Sequence, residues 1–176
     1  MKDRTGLHLK MFQSTVNLLL YKTMPDLRLN LSREFNAPIG LVYKMWTEPE
    51  YFKHWWGPKG SSLPYCKMDV QVGGYFHYCH RLSSKEEIWI KGVYKEIVPK
   101  QRIVFTSYFS DPEGNKVERL GFPLEMKITV HFTTEDQNTK IEIEHEGLNI
   151  DQGESKGWRE ALDRLAEFLR RLQEDP

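Results

Sequence analysis

From residue 62 to about 146, apolar residues stand at every second position, in run after run, with turn residues between the runs. That period belongs to strands, whose successive side chains point to opposite faces. The clearest run sets Met126, Ile128, Val130 and Phe132 between Glu125, Lys127, Thr129 and His131. Thr139 to Glu146 closes the series, with Ile141 and Ile143 on one face and Glu142, Glu144 and Glu146 on the other. Earlier in the chain, Cys66, Met68, Val70 and Val72 share a face opposite Lys67, Asp69 and Gln71. Residues 75–82, "EEIWIKGVYKEIV" and "RIVFTSYF" supply three more runs. Gly73-Gly74, Pro99-Lys100-Gln101 and the polar loop around Asp111-Pro112-Glu113-Gly114 break the series where turns are needed. Consecutive antiparallel strands with one wet face account for the pattern.

The flanks read differently. Leu27, Leu29, Leu31 and Phe35 alternate as a first strand. Asn36-Ala37-Pro38 then opens a helix, since Pro is tolerated in the first turn. Ile39, Val42, Tyr43 and Trp46 make one helical face. Thr47 and Glu50 fit a capping box, and Trp46 and Tyr51 a hydrophobic staple. "TEPEYFKHWW" is therefore read as a second short helix, ended by Gly57-Pro58. The chain closes with a long helix over about 155–173, striped by Trp158, Ala161, Leu162, Leu165, Phe168, Leu169 and Leu172. Its other face, with Arg159, Glu160, Asp163, Arg164, Glu167 and Arg171, reads as solvated. Glu160–Arg164 and Glu167–Arg171 are spaced as i,i+4 pairs. The order is strand, two short helices, about six strands and a long helix, an α+β chain. Its sheet has one long amphipathic element available to cover it.

The 176 residues suit one domain. Acidic and basic residues balance at 25 each, so no net field recruits nucleic acid or an anionic membrane. No run of about 18 apolar residues is present to span a bilayer as a helix. The opening "MKDRTGLHLKMFQSTVNLLLYKTMPD" has a short apolar patch, Val16 to Tyr21. Polar Gln13, Ser14, Thr15 and Asn17 interrupt it, and no small-residue cleavage site follows. Residues 1–25 are read as an N-terminal extension and not as a signal peptide, and the domain, 26–176, as starting just after Met24. Two cysteines without a secretory signal argue against a disulfide scaffold, and a cytoplasmic location is expected.

Four segments carry a resemblance: "REFNAPIGLVYKMWTEPEYFKHWWGPKG", "MDVQVGGYF", "GVYKEIVPKQRIVFTSYF" and "GWREALDRLAEFL". In this order, across residues 28 to 172, they resemble the START-like (SRPBCC, Bet v-like) helix-grip superfamily. Within it they are most similar to the family named after the C-terminal domain of the activator of heat-shock protein 90 ATPase. The resemblance implies a helix-grip fold. A curved antiparallel sheet of about seven strands wraps round the C-terminal helix and encloses a cavity, with two short helices after the first strand. It leaves function open, because such folds include carriers, receptors, cyclases and chaperone regulators.

Catalytic signatures are sparse. Alternation places His77 and Cys79 on one face and His80 on the other. A zinc site wants four convergent ligands, and even with Cys66 on the neighbouring strand no metal site or cofactor is expected. His145 continues the inward face of Ile141 and Ile143 and should point toward the cavity, as a satisfied structural histidine or a ligand contact. No carboxylate pair is placed for acid–base work, and no phosphate loop or nucleophile elbow occurs.

The aromatic residues stand out more. Phe52 and Trp55 can share a helical face, while Trp56 projects about a third of a turn away. One tryptophan can seal the core while the other lines the cavity mouth. The expected lining comprises Trp46, Trp55, Trp56, Tyr75, Phe76 and His77. Trp89, Tyr94, Phe105, Phe122, His145 and Trp158 complete it. Any one ring is equally well read as core. Together, in a cavity-forming fold, they point to non-catalytic binding of a small hydrophobic or aromatic molecule. Two alternatives stand beside this: a chaperone co-regulator, which the resemblance implies, and a cyclase- or hydrolase-type enzyme using His145 or His77.

Overall fold

A computed structural model describes residues 28–119, 121–147 and 154–174. The reading of residues 1–25, and Leu27, lie outside the described residues. The elements are β1 (Arg28–Phe35), α1 (Ile39–Thr47), α2 (Pro49–Trp55), β2 (Ser62–Met68), β3 (Tyr75–Arg81), β4 (Glu87–Val98), β5 (Arg102–Ser110), β6 (Met126–Glu135), β7 (Asn138–Glu146) and α3 (Glu154–Glu174). The strands form one seven-stranded sheet in the order β1-β7-β6-β5-β4-β3-β2. Every pairing is antiparallel. The strands from β2 to β7 form a meander, and β1 joins at its far edge beside β7. This is the α+β helix-grip architecture.

The period-two pattern fixes which side chains meet across the strands. Leu29 lies opposite His145, His145 opposite Ile128, Ile128 opposite Phe105, and Phe105 opposite Tyr94. All five are buried on the face that α3 covers. One row along, Met126 faces Ser107, Ser107 faces Gly92, and Gly92 faces Phe76. Two small residues thus sit side by side in mid-sheet. The Phe76 ring lies over Gly92, while Ser107 leaves its share of the row unfilled. A bulge in the β4–β5 pairing, between Tyr94 and Glu96, adds local twist to the same strands.

Helix α3 lays Trp158, Ala161, Leu162, Leu165 and Leu169 on the sheet and buries all five. Each leucine-sized side chain so buried contributes about 1.5–3 kcal/mol. Helices α1 and α2 close one end, with Met45 and Trp55 fully buried. Among the described residues no helix is long and apolar enough to cross a membrane.

Three local expectations need correction. Thr47 is the last residue of α1, and its hydroxyl donates to the Tyr43 carbonyl, so no capping box forms. Helix α2 begins instead at Pro49, which lacks the N–H that a cap would satisfy. Strand β2 ends at Met68, and Val72 is 64% exposed, because Asp69–Gly74 already turns toward β3. Arg164 is not a solvated residue of α3: it is a structural clamp, described below.

Gly92 supports a direct test. A Cβ there would stand 2.1 Å from the Thr106 carbonyl oxygen and 2.3 Å from Phe76 Cζ. Gly92→Ala should therefore lower stability by about 1–3 kcal/mol, the usual range for overpacking. Urea unfolding read by tryptophan fluorescence checks this, and an unchanged midpoint would contradict the packing described.

Candidate functional site

The "HWWG" corner divides its two tryptophans. Trp55, the last residue of α2, is fully buried, and its indole N–H donates to the Met45 carbonyl at 2.9 Å. It is core. Trp56 leaves the helix in an extended conformation (φ −66°, ψ 126°) and swings its ring away. There it meets Phe52 at 5.1 Å, stacked, and Trp158 at 4.9 Å, edge-on. Gly57 follows with φ +110°, a left-handed value that glycine adopts without strain. A Cβ at Gly57 would come within 2.6–2.7 Å of the His80 ring and Ser61 Oγ.

Arg164 holds this corner. Its Nη1 donates to the carbonyls of Gly57 and Pro58 and to Ser61 Oγ at 3.0–3.2 Å, and Nη2 donates to the His54 carbonyl at 3.2 Å. The Lys59 backbone N–H donates to the Glu160 carboxylate at 3.0 Å. Helix α3 thereby pins the loop that carries Trp56.

Between this corner, the start of α3 and strands β3–β7 lies a cavity of about 620 Å³. That is within the ordinary range for a small-molecule pocket. Trp56, Phe105, Phe122, His145 and Trp158, all expected from sequence, line it. Trp46, Phe76 and Tyr94 line a small annex of about 20 Å³ that shares Trp56, Tyr78 and Phe105 with the cavity. Trp55 lines neither. Tyr75, His77 and Trp89 lie on the opposite face of the sheet, a correction that follows from strand alternation. Phe76 and Tyr75 are neighbours and cannot share a face. On that outer face His77 Nε2 is 3.2 Å from Ser110 Oγ, and its ring is packed by Tyr65 and Trp89 at 5.4 and 5.1 Å.

Sequence reasoning missed Tyr78, His80, Ser107 and Phe109, which also line the cavity. Their signal was present: Phe76 inward implies Tyr78 and His80 inward, and Phe105 implies Ser107 and Phe109. Arg119 and Lys156 stand at the mouth, and Arg119 lies over the Phe109 and Phe122 rings at 4.9 and 5.8 Å. Cys66, opposite Tyr78 in the β2–β3 register, is on the other face from His77 and Cys79, so the three do not converge. Among the described residues no group of His, Cys, Asp or Glu is arranged to hold a metal. A larger groove of about 810 Å³ crosses the outer face over Arg28, Ser32, Arg102, His131 and Glu142. Its arginines pair with Glu144, Glu146 and Glu96, so it is solvated charged surface and no rival to the aromatic cavity.

The two cavity histidines are neutral. Trp158 Nε1–H donates to His145 Nδ1 at 2.9 Å. An indole nitrogen only donates, so Nδ1 carries a lone pair and the neutral ring holds its proton on Nε2. Burial pushes His145 down to about 3, and burial, with the Arg164 charge adding to it, pushes His80 down to about 4.

Two outcomes are expected. Arg164→Met removes the clamp and should lower stability by about 1.5–3 kcal/mol, as for hydrogen bonds to charged groups. A quenched or shifted Trp56 emission in the folded variant reports the loosened corner, and an unchanged melt and spectrum would contradict it. The pH dependence follows from the histidines. Unfolded, they take up protons below about 6.5; folded, only near 3 and 4. Their stabilisation is fully present above about pH 6.5 and is lost as pH falls toward 4, by up to about 1.4 kcal/mol per pH unit for each histidine. Thermal melts from pH 7.5 to 4.5 read this slope, and His145→Phe should reduce it.

No curated protein matches the chain in sequence. Solved structures share the fold. One from Nitrosomonas europaea is 22% identical with a TM-score of 0.71, covering 84% of this chain and 96% of that one. One from Chromobacterium violaceum is 26% identical with a TM-score of 0.68, covering 81% and 96%. The AHSA1 protein from Silicibacter pomeroyi is 19% identical with a TM-score of 0.68, covering 82% and 98%. A family model, "Activator of Hsp90 ATPase homolog 1-like protein", matches residues 36–170, from the end of β1 to the last turn but one of α3. With that match over most of its length, and the sheet, clamp and cavity in place, the chain is a member of the Activator of Hsp90 ATPase homolog 1-like family.

Proposed function

We propose that the chain binds a small hydrophobic or aromatic molecule, without catalysis, in the cavity between the sheet and α3. The observation that carries this reading is the cavity of about 620 Å³ walled by Trp56, Phe105, Phe109, Phe122 and Trp158. Rigid rings bury large apolar areas at little entropic cost, and a few polar atoms among them orient a ligand.

For His145 and His77, the two histidines an enzyme was expected to use, the contacts favour binding over catalysis. A general base must offer a lone pair to its substrate. In His145 the lone pair on Nδ1 is taken by Trp158, and Nε2 already holds a proton. His77 is across the sheet, bonded to Ser110. A chaperone partner, the relation in the family's own name, is the alternative.

Fluorescence titration of the full chain with N-phenyl-1-naphthylamine tests the reading. The probe should brighten on binding, with a Kd of about micromolar order. Trp56→Ala, in a protein that still melts cooperatively, should weaken binding about tenfold or more, the equivalent of about 1.4 kcal/mol. A folded protein that leaves the probe dark, and whose native mass equals its denatured mass, would overturn the reading in favour of the protein partner.

A further inference from the structure

The cavity opens at one end of the sheet. Its wall there is apolar, with Leu82, Ile88, Ile90, Phe109 and Phe122 only half-buried. Leu124, in the β5–β6 connection at the same end, is 55% exposed. Apolar side chains gathered in one open concavity mark a surface that something covers.

The strand register shows which part of the chain enters beside this opening. Arg28, the first residue of β1, lies opposite Glu146, Glu146 opposite Lys127, and Lys127 opposite Thr106. Phe109, on the cavity wall, is thus three strands across from Arg28 and three residues further along. At a strand spacing of about 4.8 Å and a rise of about 3.3 Å per residue, that is roughly 17 Å. Upstream of β1 the sequence carries the apolar patch Val16 to Tyr21, interrupted only by Asn17. Residues 22–27 separate Tyr21 from Arg28. Extended at about 3.3 Å per residue, that link carries Tyr21 up to about 23 Å from Arg28. The reach exceeds the span by a small margin, the condition under which a tether is most effective. It holds the patch near the mouth at a local concentration of about millimolar order, far above that of the same patch on another molecule. The patch contains no charged residue, so covering it strands no ion away from water.

We propose that residues 16–21 of this chain fold back over the mouth and lodge against Ile88, Phe109 and Phe122, so that the chain's own N-terminal segment competes with a ligand for the cavity. The docking rests on the register, the reach and the apolar wall. Its consequence, competition, rests on the reading of the cavity as a ligand site. The segment is then a built-in regulator: whatever draws it away opens the cavity, and a ligand that fills the cavity releases the segment.

Two measurements on the full chain separate docking from competition. The first needs no ligand: Tyr21→p-benzoylphenylalanine, irradiated, digested and mapped by mass spectrometry. Cross-links should join position 21 to the cavity wall of the same chain, within residues 82–90, 105–109 or 122–126. The second substitutes Leu18→Asp and Leu20→Asp together and titrates N-phenyl-1-naphthylamine. The substituted chain should bind the probe about fivefold tighter than the unaltered one, as expected when the segment fills the mouth about four-fifths of the time. Cross-links confined to other surfaces, or joining two chains, would overturn the proposal. So would an unchanged probe affinity, and in either case the cavity reading stands as long as the probe binds. A probe that binds neither protein would overturn the cavity reading, and the cross-links alone would then decide the docking.

Discussion

One helix is too narrow for the face it has to cover. Seven strands at about 4.8 Å spacing span about 30 Å, and a helix with its side chains is about 10 Å across. The uncovered part of the concave face must be filled by other elements or left as space. At one end α1 and α2 fill it, with Met45 and Trp55 fully buried. At the other, beside Ser107 and the first turns of α3, the space remains as the cavity. The site is therefore a consequence of the architecture, and its shape is set by which mid-sheet residues are small.

The cavity wall also depends on a polar contact in an apolar fold. Arg164 gathers the carbonyls of His54, in the last turn of α2, and of Gly57 and Pro58 in the loop that follows it. The guanidinium suits this role because its planar fork presents several donors at once. The same contact sets where Trp56 stands, and the close fit of Gly57 to the His80 ring sets how near the corner comes to β3. Stability and site geometry are coupled through these residues, and neither Arg164 nor Gly57 needs to touch a ligand.

Much of the fold was legible in the residues. Strict alternation in β6 and β7 placed Ile128, Val130, Ile141, Ile143 and His145 on the buried face before any pairing was known. The apolar stripe of α3 likewise identified the helix that covers them. The site was legible in part. Trp56, Phe105, Phe122, His145 and Trp158 line the cavity, whereas Tyr75, His77 and Trp89 face outward. That error came from choosing large rings ahead of strand parity. Applying parity to β3 from Phe76 onward would have exchanged Tyr75 and His77 for Tyr78 and His80. Arg164 misled in another way: on a helical wheel it sits among charged residues, and nothing in the wheel says that a loop a hundred positions earlier lies across it.

The order of elements, the buried face of each strand, the covering helix and the kinship with a helix-grip family are all written in local periodicity and motif. That Trp55 seals while Trp56 lines, that Arg164 is a clamp, and that Trp158 holds the His145 proton on Nε2 follows from the folded arrangement and from nothing local. Those outcomes depend on groups that are remote in the chain and adjacent in space. A hydrogen bond 2.9 Å long between α3 and β7 has no period to reveal it.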